Sequence, residues 1–532
     1  MKRLFWPAVG ELIWQTRHCR RCRQWVVLVL GLFYTGNLAA QSLIVGANVD
    51  INRQSGYQAE EAIAVNPVNP SLLFAWANDV RSGASDNAAG YSTNGGAVWK
   101  ARFTGADGWP ALGGDPTCSF DAFGNLFAAS FDGSFGSIQV RASTNSGATF
   151  SNLLLTITSA NLDQPTIKAG PSPASGKTAV WICHVDTPGL VARGMTVSGF
   201  NNFGTFGSAL TVPNSSSGNF GDLAIGPAGQ VAVAYQSPAD AAGPSTIFLA
   251  LNASGNTAGT FASVPATIAT QVGGFRNIPA QPNRSVDAEV GLAWDISNGP
   301  HRGRLHMVYT DAANTTTSDL NIYTRYSDNA GTNWSAPHRV NTDAGTNSQF
   351  FPKIALDPTT GFIAVVWYDC RNSATDNHEE LWGTVSLDGG VTFLPEVKIS
   401  TGLTTGVNLG GGNELGDYLG LDFYGGIFHP CWADDSNSTG DNPDGTADLD
   451  IYTAAVQVAP AVPVLAAVGP ATNGGFNFKV TCTPMFTLGV DTSTNLVQWT
   501  ALGSGFTGTN GSFTFNDTNA VRRLRFYRAH WP

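Results

Sequence analysis

One eight-residue pattern recurs along the chain and limits what it can fold into more than any other feature. Ser92-Thr-Asn-Gly-Gly-Ala-Val-Trp99, Ser143-Thr-Asn-Ser-Gly-Ala-Thr-Phe150, Ser327-Asp-Asn-Ala-Gly-Thr-Asn-Trp334 and Ser386-Leu-Asp-Gly-Gly-Val-Thr-Phe393 share Ser at the first position, Asn or Asp at the third, Gly at the fifth and Trp or Phe at the eighth. Each copy fits a hairpin turn: the Asn or Asp side chain bonds nearby backbone, Gly supplies a positive φ, and the aromatic ring closes over the turn. Two weaker copies lie between the second and third, Ser254-Gly-Asn-Thr-Ala-Gly-Thr-Phe261 with its Gly shifted by one place, and Val197-Ser-Gly-Phe-Asn-Asn-Phe-Gly-Thr-Phe206.

Ahead of each copy runs a second pattern: a strand, a turn with Pro, Asn or Gly, then an apolar strand ending in a polar residue. It reads Ala62-Ile-Ala-Val-Asn-Pro67 then Leu73-Phe-Ala-Trp-Ala-Asn-Asp79, and Pro352-Lys-Ile-Ala-Leu-Asp-Pro358 then Ile363-Ala-Val-Val-Trp-Tyr-Asp369; further copies end at Asp132, Asp186, Gln236, Asp311 and Asp434. Seven hairpin units thus face six turn motifs. Repeats of this length build propellers and solenoids, and the expected fold is all-β, a β-propeller with seven blades favoured and six as the alternative. The seventh unit lacks a fourth strand, which Ile44-Val-Gly-Ala-Asn-Val-Asp-Ile51 can supply from the other end, closing the ring without an open edge. After Val458 a proline-bearing linker, residues 459–473, leads to residues 474–532, whose short strands suit a small β-sandwich with a thin core. The expected organisation is 1–40, 41–458, 459–473 and 474–532.

Residues 1–40 differ in kind. Basic residues from Lys2 to Arg23 precede the apolar run Trp25–Phe33 and small residues ending at Ala39-Ala40, the layout of a signal peptide, so export to the medium or cell surface is expected. The run is too short to span a bilayer, which takes ~20 residues. Removing residues 1–40 takes six basic residues and one acid, moving the formal charge from −11 to −16. So acidic a surface argues against nucleic acid or anionic membrane as partner, and a monomer is expected. Cys19 and Cys22 fall inside that segment. The remaining five, Cys118, Cys183, Cys370, Cys431 and Cys482, are scattered singly, which excludes a zinc site or a dense disulfide framework and suits core positions.

The turn motifs, with Trp367-Tyr-Asp-Cys-Arg371 and Gly416-Asp-Tyr-Leu-Gly420, resemble the Asp boxes and flanking phrases of the sialidase-like, or BNR-repeat, β-propellers of secreted bacterial proteins, over roughly residues 42–458. Ser493-Thr-Asn-Leu-Val-Gln-Trp499 and Arg525-Phe-Tyr-Arg528 resemble C-terminal modules of such proteins. The resemblance implies that the boxes lie opposite the active face and are structural: Ser92, Asn94, Gly96, Trp99; Ser143, Asn145, Gly147, Phe150; Ser327, Asn329, Gly331, Trp334; Ser386, Asp388, Gly390, Phe393. The other mouth would then collect Glu60, Glu61, Asp79, Asp115, Asp132, Asp163, Asp186, Asp287, Glu289, Asp311, Asp369, Asp417 and Asp434.

Family sialidases hold a substrate carboxylate with three arginines and use a tyrosine nucleophile, its activating glutamate and an acid/base aspartate. Carried onto this chain, that implies Arg81, Arg371 and Arg276 for substrate, Asp369 and Asp417 as acid/base, and Tyr418 as nucleophile with Glu61. The chain departs from the pattern: the family's Phe-Arg-Ile-Pro occurs only as Phe275-Arg-Asn-Ile-Pro279, and no third arginine falls at a repeat-equivalent position, although Arg276 or Arg284 could reach inward from a loop. A glycan-active enzyme is therefore expected alongside its alternative, a non-catalytic propeller that binds glycan or protein. No cofactor is required by either. Calcium suits the oxygen-rich loop 434–450 through Asp434, Asp441, Asp444 and Asp448.

Overall fold

The computed structural model describes residues 10–16, 27–30, 41–81, 84–103, 112–238, 242–407, 414–471, 475–508, 510–518 and 525–531. They are all-β, with no helix among them. Two compact units emerge, 45–457 and a second made of 1–44 with 458–532.

In the larger unit, seven antiparallel sheets of four or more strands and one two-stranded sheet are present among the described residues. The first strands of the seven are Tyr57–Val65, Leu112–Phe120, Asp163–Pro171, Asn219–Ile225, Gly291–Trp294, Gln349–Leu356 and Gly420–Tyr424. Each packs beside the next, and the last packs beside the first, so the sheets close into a ring around a central channel. This is a β-propeller. The apolar strands bury their side chains between neighbouring sheets, as where Phe74 and Trp76 meet Phe120, Leu126 and Phe150. The N-terminal strand joins the last sheet as expected: Val49–Asp50 pairs with Tyr452 and Thr453, and Gly46 and Ile51 donate to the carbonyls of Ala455 and Ile451.

All four boxes share one geometry. The Ser hydroxyl accepts the Gly amide at 2.8–3.0 Å and donates to the Asn or Asp side chain, which accepts the amide four residues on at 2.9 Å. The Gly also faces the neighbouring sheet: a Cβ would stand 2.1 Å from Phe74 at Gly147, 2.2 Å from Leu249 at Gly331 and 3.4 Å from His429 at Gly96. The boxes therefore hold turn and ring together. Because Ser92 pairs with Leu73, which pairs with Val65, they lie where the first strands end, opposite Glu60.

In the smaller unit, Phe476, Phe478, Val480, Leu488, Val490 and Tyr527 form the core, drawn from two sheets. Phe478 and Tyr527 centre 4.7 Å apart. The phrase Ser493–Trp499 folds into a box-like turn without its Gly, Leu496 taking the left-handed φ of 62° instead. Of the expected signal segment, Gly10–Thr16 and Val27–Leu30 are described. They pair with each other, and the first also pairs with Phe526–His530. The rest of that segment, with Cys19 and Cys22, lies outside the described residues. Cys118, Cys183, Cys370 and Cys431 are buried and Cys482 is half-buried, all as free thiols.

Candidate functional site

The first strands are interrupted at the same place. Pairing with the second strand slips between Ala59 and Ala62, between Asp163 and Thr166, and between Phe350 and Lys353, and the strand Leu112–Phe120 slips likewise opposite Ala129 and Phe131. The slipped residues are Glu60-Glu61, Asp115-Pro116, Gln164-Pro165 and Phe351-Pro352. These are β-bulges, and each first member is left-handed, with φ of 64°, 52°, 39° and 48°. Three of the four carry Pro second, which suits a position where no amide is needed for the ladder. Glu289, φ 42°, precedes the strand Gly291–Trp294 in the same manner.

The bulges bring acids from separate sheets together at the channel mouth opposite the boxes. Their common partner is Arg284, on the hairpin Arg276–Ile278 with Gln281–Val286 that is inserted between the fourth and fifth sheets. Its Nε donates to Asp417 Oδ1 at 2.9 Å, and its Nη2 to Asp417 Oδ2 at 2.6 Å and Glu60 Oε1 at 2.7 Å. The hairpin is clamped in turn by Glu414, which accepts the amides of Asn283 and Arg284 and the Asn283 side chain, and by Gln281, which bonds Leu415 N and Gly416 O. Gln164 donates its amide to Asp115 at 3.0 Å.

Burial raises the proton affinity of these acids. It holds Asp115 up at about 7, helped by Asp163, and Glu289 at about 7 in spite of Lys353, whose Nζ lies 3.9 Å away. Glu60, Glu61 and Asp287 are pushed well above the usual carboxylate range, again chiefly by burial. Tyr418 sits among them and is also pushed upward, by burial and then by Asp115, Glu60 and Asp417, the opposite of what activates a phenol as nucleophile.

The structure places the residues expected from sequence in three groups. Glu61, Asp417 and Tyr418 are at the mouth. Asp369 and Arg371 are not with Arg284: Asp369 is buried, accepting from the Trp367 indole and the Arg371 amide, while Arg371 is spread between Asp369, Glu396 and the ring of Trp382 at 4.0 Å. Arg276 is buried on the hairpin, where it donates to the carbonyls of Thr315 and Thr317. The Arg81 side chain lies outside the described residues. Acids that end second strands cap loops instead of facing the channel, as Asp132 does for Ser134 and Gly136, Asp186 for Thr187 and Asp311 for Gln271. Sequence reasoning offered Arg284 only as an arginine that could reach inward from a loop, and missed Glu414 and Gln281. The repeated acid or amide before Pro was the available signal for the bulges.

The four carboxylates expected to bind calcium do not converge. Asp434 accepts the Trp432 indole and the Ser436 amide, Asp441 pairs with Arg53 at 2.7 Å, and Asp444 accepts the Gly56 amide. No group of three or more His, Cys, Asp and Glu among the described residues is arranged for a metal ion.

No family model matches the chain, and no curated protein matches it. Among solved structures it is similar to a protein of unknown function from Dyadobacter fermentans, at TM-score 0.42 and 10% identity over 78% of this chain and 99% of that one. It is also similar to the GH93 α-L-arabinofuranosidase of Fusarium graminearum, at TM-score 0.39 and 11% identity over 64% of this chain and 98% of that one. A third is the intramolecular trans-sialidase from Ruminococcus gnavus, at TM-score 0.39 and 10% identity over 59% and 90%. At such scores the likeness carries nothing about substrate.

Proposed function

We propose that the chain is an exported glycan-active propeller, on a ring we read as seven-bladed, whose acidic mouth hydrolyses a glycosidic bond. The observation that carries this is the division of labour at one mouth. Glu289 is half-buried and holds its proton to about 7, whereas Asp417 accepts both prongs of the Arg284 guanidinium. A proton-holding carboxyl group and an arginine-paired one in one cleft are the pair that glycoside hydrolysis uses, one to protonate the leaving oxygen and the other to act as base or nucleophile. The sialidase variant of the reaction is the less favoured form, because Tyr418 is not activated and Arg284 already serves Asp417 and Glu60.

The test uses residues 41–532 with a panel of aryl glycosides and oligosaccharides. Glu289→Gln and Asp417→Asn should each lower kcat by about 10²–10⁴-fold with little change in KM. Turnover unchanged in both would remove this site. A second reading, glycan binding without catalysis, is favoured by one observation, that both Asp417 oxygens are already bonded to Arg284; binding without turnover by the unsubstituted chain would establish it. Export predicts a secreted product that begins near residue 41, which N-terminal sequencing would show.

A further inference from the structure

The half of the channel on the box side differs in kind from the acidic mouth. It holds a cavity of about 510 Å³, a size within the range of small-molecule sites, and all seven first strands line it. Most of the wall is apolar, with Val65, Phe120, Ile225, Trp294, Leu356 and Phe423 contributed at or next to the strand ends. Ala122, Lys177 and Thr359, in the turns that follow three of those strands, are exposed, so the cavity opens to solvent on that side. An apolar wall of this extent gains by taking an apolar ligand out of water.

The charges on the wall narrow the ligand further. Three charged residues line the cavity, Lys168, Lys177 and Asp422. Asp422 is committed to the fold: its Oδ2 accepts the Val65 amide at 2.7 Å and its Oδ1 the Phe423 amide at 2.8 Å. Lys168 is half-buried on the strand Asp163–Pro171 and also lines the smaller cavity toward the acidic mouth, so it stands at the waist of the channel. Burial raises the proton affinity of Asp422 and of Cys118, and Lys168 offsets part of that rise in both, which sets its ammonium beside two groups of the same wall. No hydrogen bond or ion pair engages that ammonium among the described residues. A cation without a partner, in a wall of low polarity, attracts an anion more strongly than it would in water.

We propose that the box-side cavity binds a small amphiphilic carboxylate, a medium-chain fatty acid, with its head on Lys168 and its chain along the apolar wall toward the rim. Two lysines against one aspartate give this half of the channel a formal positive balance. Beyond the waist, Glu60, Asp115 and Asp417 repel an anion, so the head stops at Lys168. The site lies in the other half of the channel from Glu289 and Asp417 and does not depend on the glycan reading.

The experiment is calorimetric binding of hexanoate, octanoate and decanoate to the full chain, with octanol and octylamine as the uncharged and cationic counterparts. Octanoate should bind about tenfold or more tighter than octanol, octylamine should not bind, and affinity should rise about three- to fourfold per methylene along the acid series. Lys168→Met should bring octanoate down to the level of octanol, and Lys168→Arg should keep the preference; the melting temperature of each variant shows that it folds. The comparison of octanoate with octanol on the unsubstituted chain needs no variant. Octanol bound as tightly as octanoate, no binding of either, or octanoate binding that Lys168→Met leaves unchanged would overturn the inference.

Discussion

Gly147 meets two demands at once. Its φ of 91° belongs to the region that side chains avoid, and its Cα faces Phe74 of the preceding sheet so closely that a methyl would overlap the ring. Gly147→Ala should therefore cost about 2–4 kcal/mol in denaturant unfolding, combining backbone strain with overpacking. Gly95 is the control: it also has a positive φ, 73°, but open space around it. Gly95→Ala should cost only about 1 kcal/mol. Equal costs at the two positions would show that the box Gly serves the turn alone. The turn half of this was legible, because Ser, Asn or Asp, and Gly at fixed offsets bond within a few residues. The packing half was not, since Phe74 lies in another repeat.

Among the elements, the two-residue strand Val49–Asp50 joins the ends of the ring and carries a buried acid into that joint. Asp50 and Asp450 act on each other's charge, and both are 1% exposed. Asp441 faces Asp50, Asp444 and Asp79 face Asp450, and Gln58 donates to Asp450 at 3.1 Å. Burial first, then this crowding, raises Asp50 to about 6 and Asp450 to about 9. Both folded values exceed the unfolded ones near ~4, so the fold binds the protons more tightly and their contribution is complete below that value. It is lost as pH rises through 6 to 9. The melting temperature of the larger unit should fall across that window, and Asp450→Asn should flatten the fall; an identical slope in the variant would remove this pair as its source. Asp115-Pro116, Gln164-Pro165 and Phe351-Pro352 recur before apolar strands, so an interruption there could be read, though not the direction in which it sends the acid.

For the whole molecule, the strand Val49–Asp50 closes the ring by covering an edge that would otherwise stay open. Deleting residues 42–52 removes that pairing and Asp50 with it. The melting temperature should drop by more than about 5 °C, and an unchanged value would mean that the ring holds without its clasp. This closure was legible because the seventh unit lacked a strand and a spare one lay at the other end. The turns at the boxes and the acidity of the opposite mouth followed from sequence for the same reason: they rest on repeated local patterns and on composition. Which acids meet did not. Asp369 and Asp417 look alike in sequence, each in a box-flanking phrase, yet one is sealed under Trp367 and Arg371 while the other faces Arg284 at the mouth. Arg284 belongs to an inserted hairpin with no repeat partner, so no periodicity points to it. The sequence by itself determined the repeating unit, because turn chemistry acts over a few residues. Only the tertiary structure decided the site, because it is made where bulges from separate sheets and one insertion converge on the channel, and burial there sets which carboxyl keeps its proton.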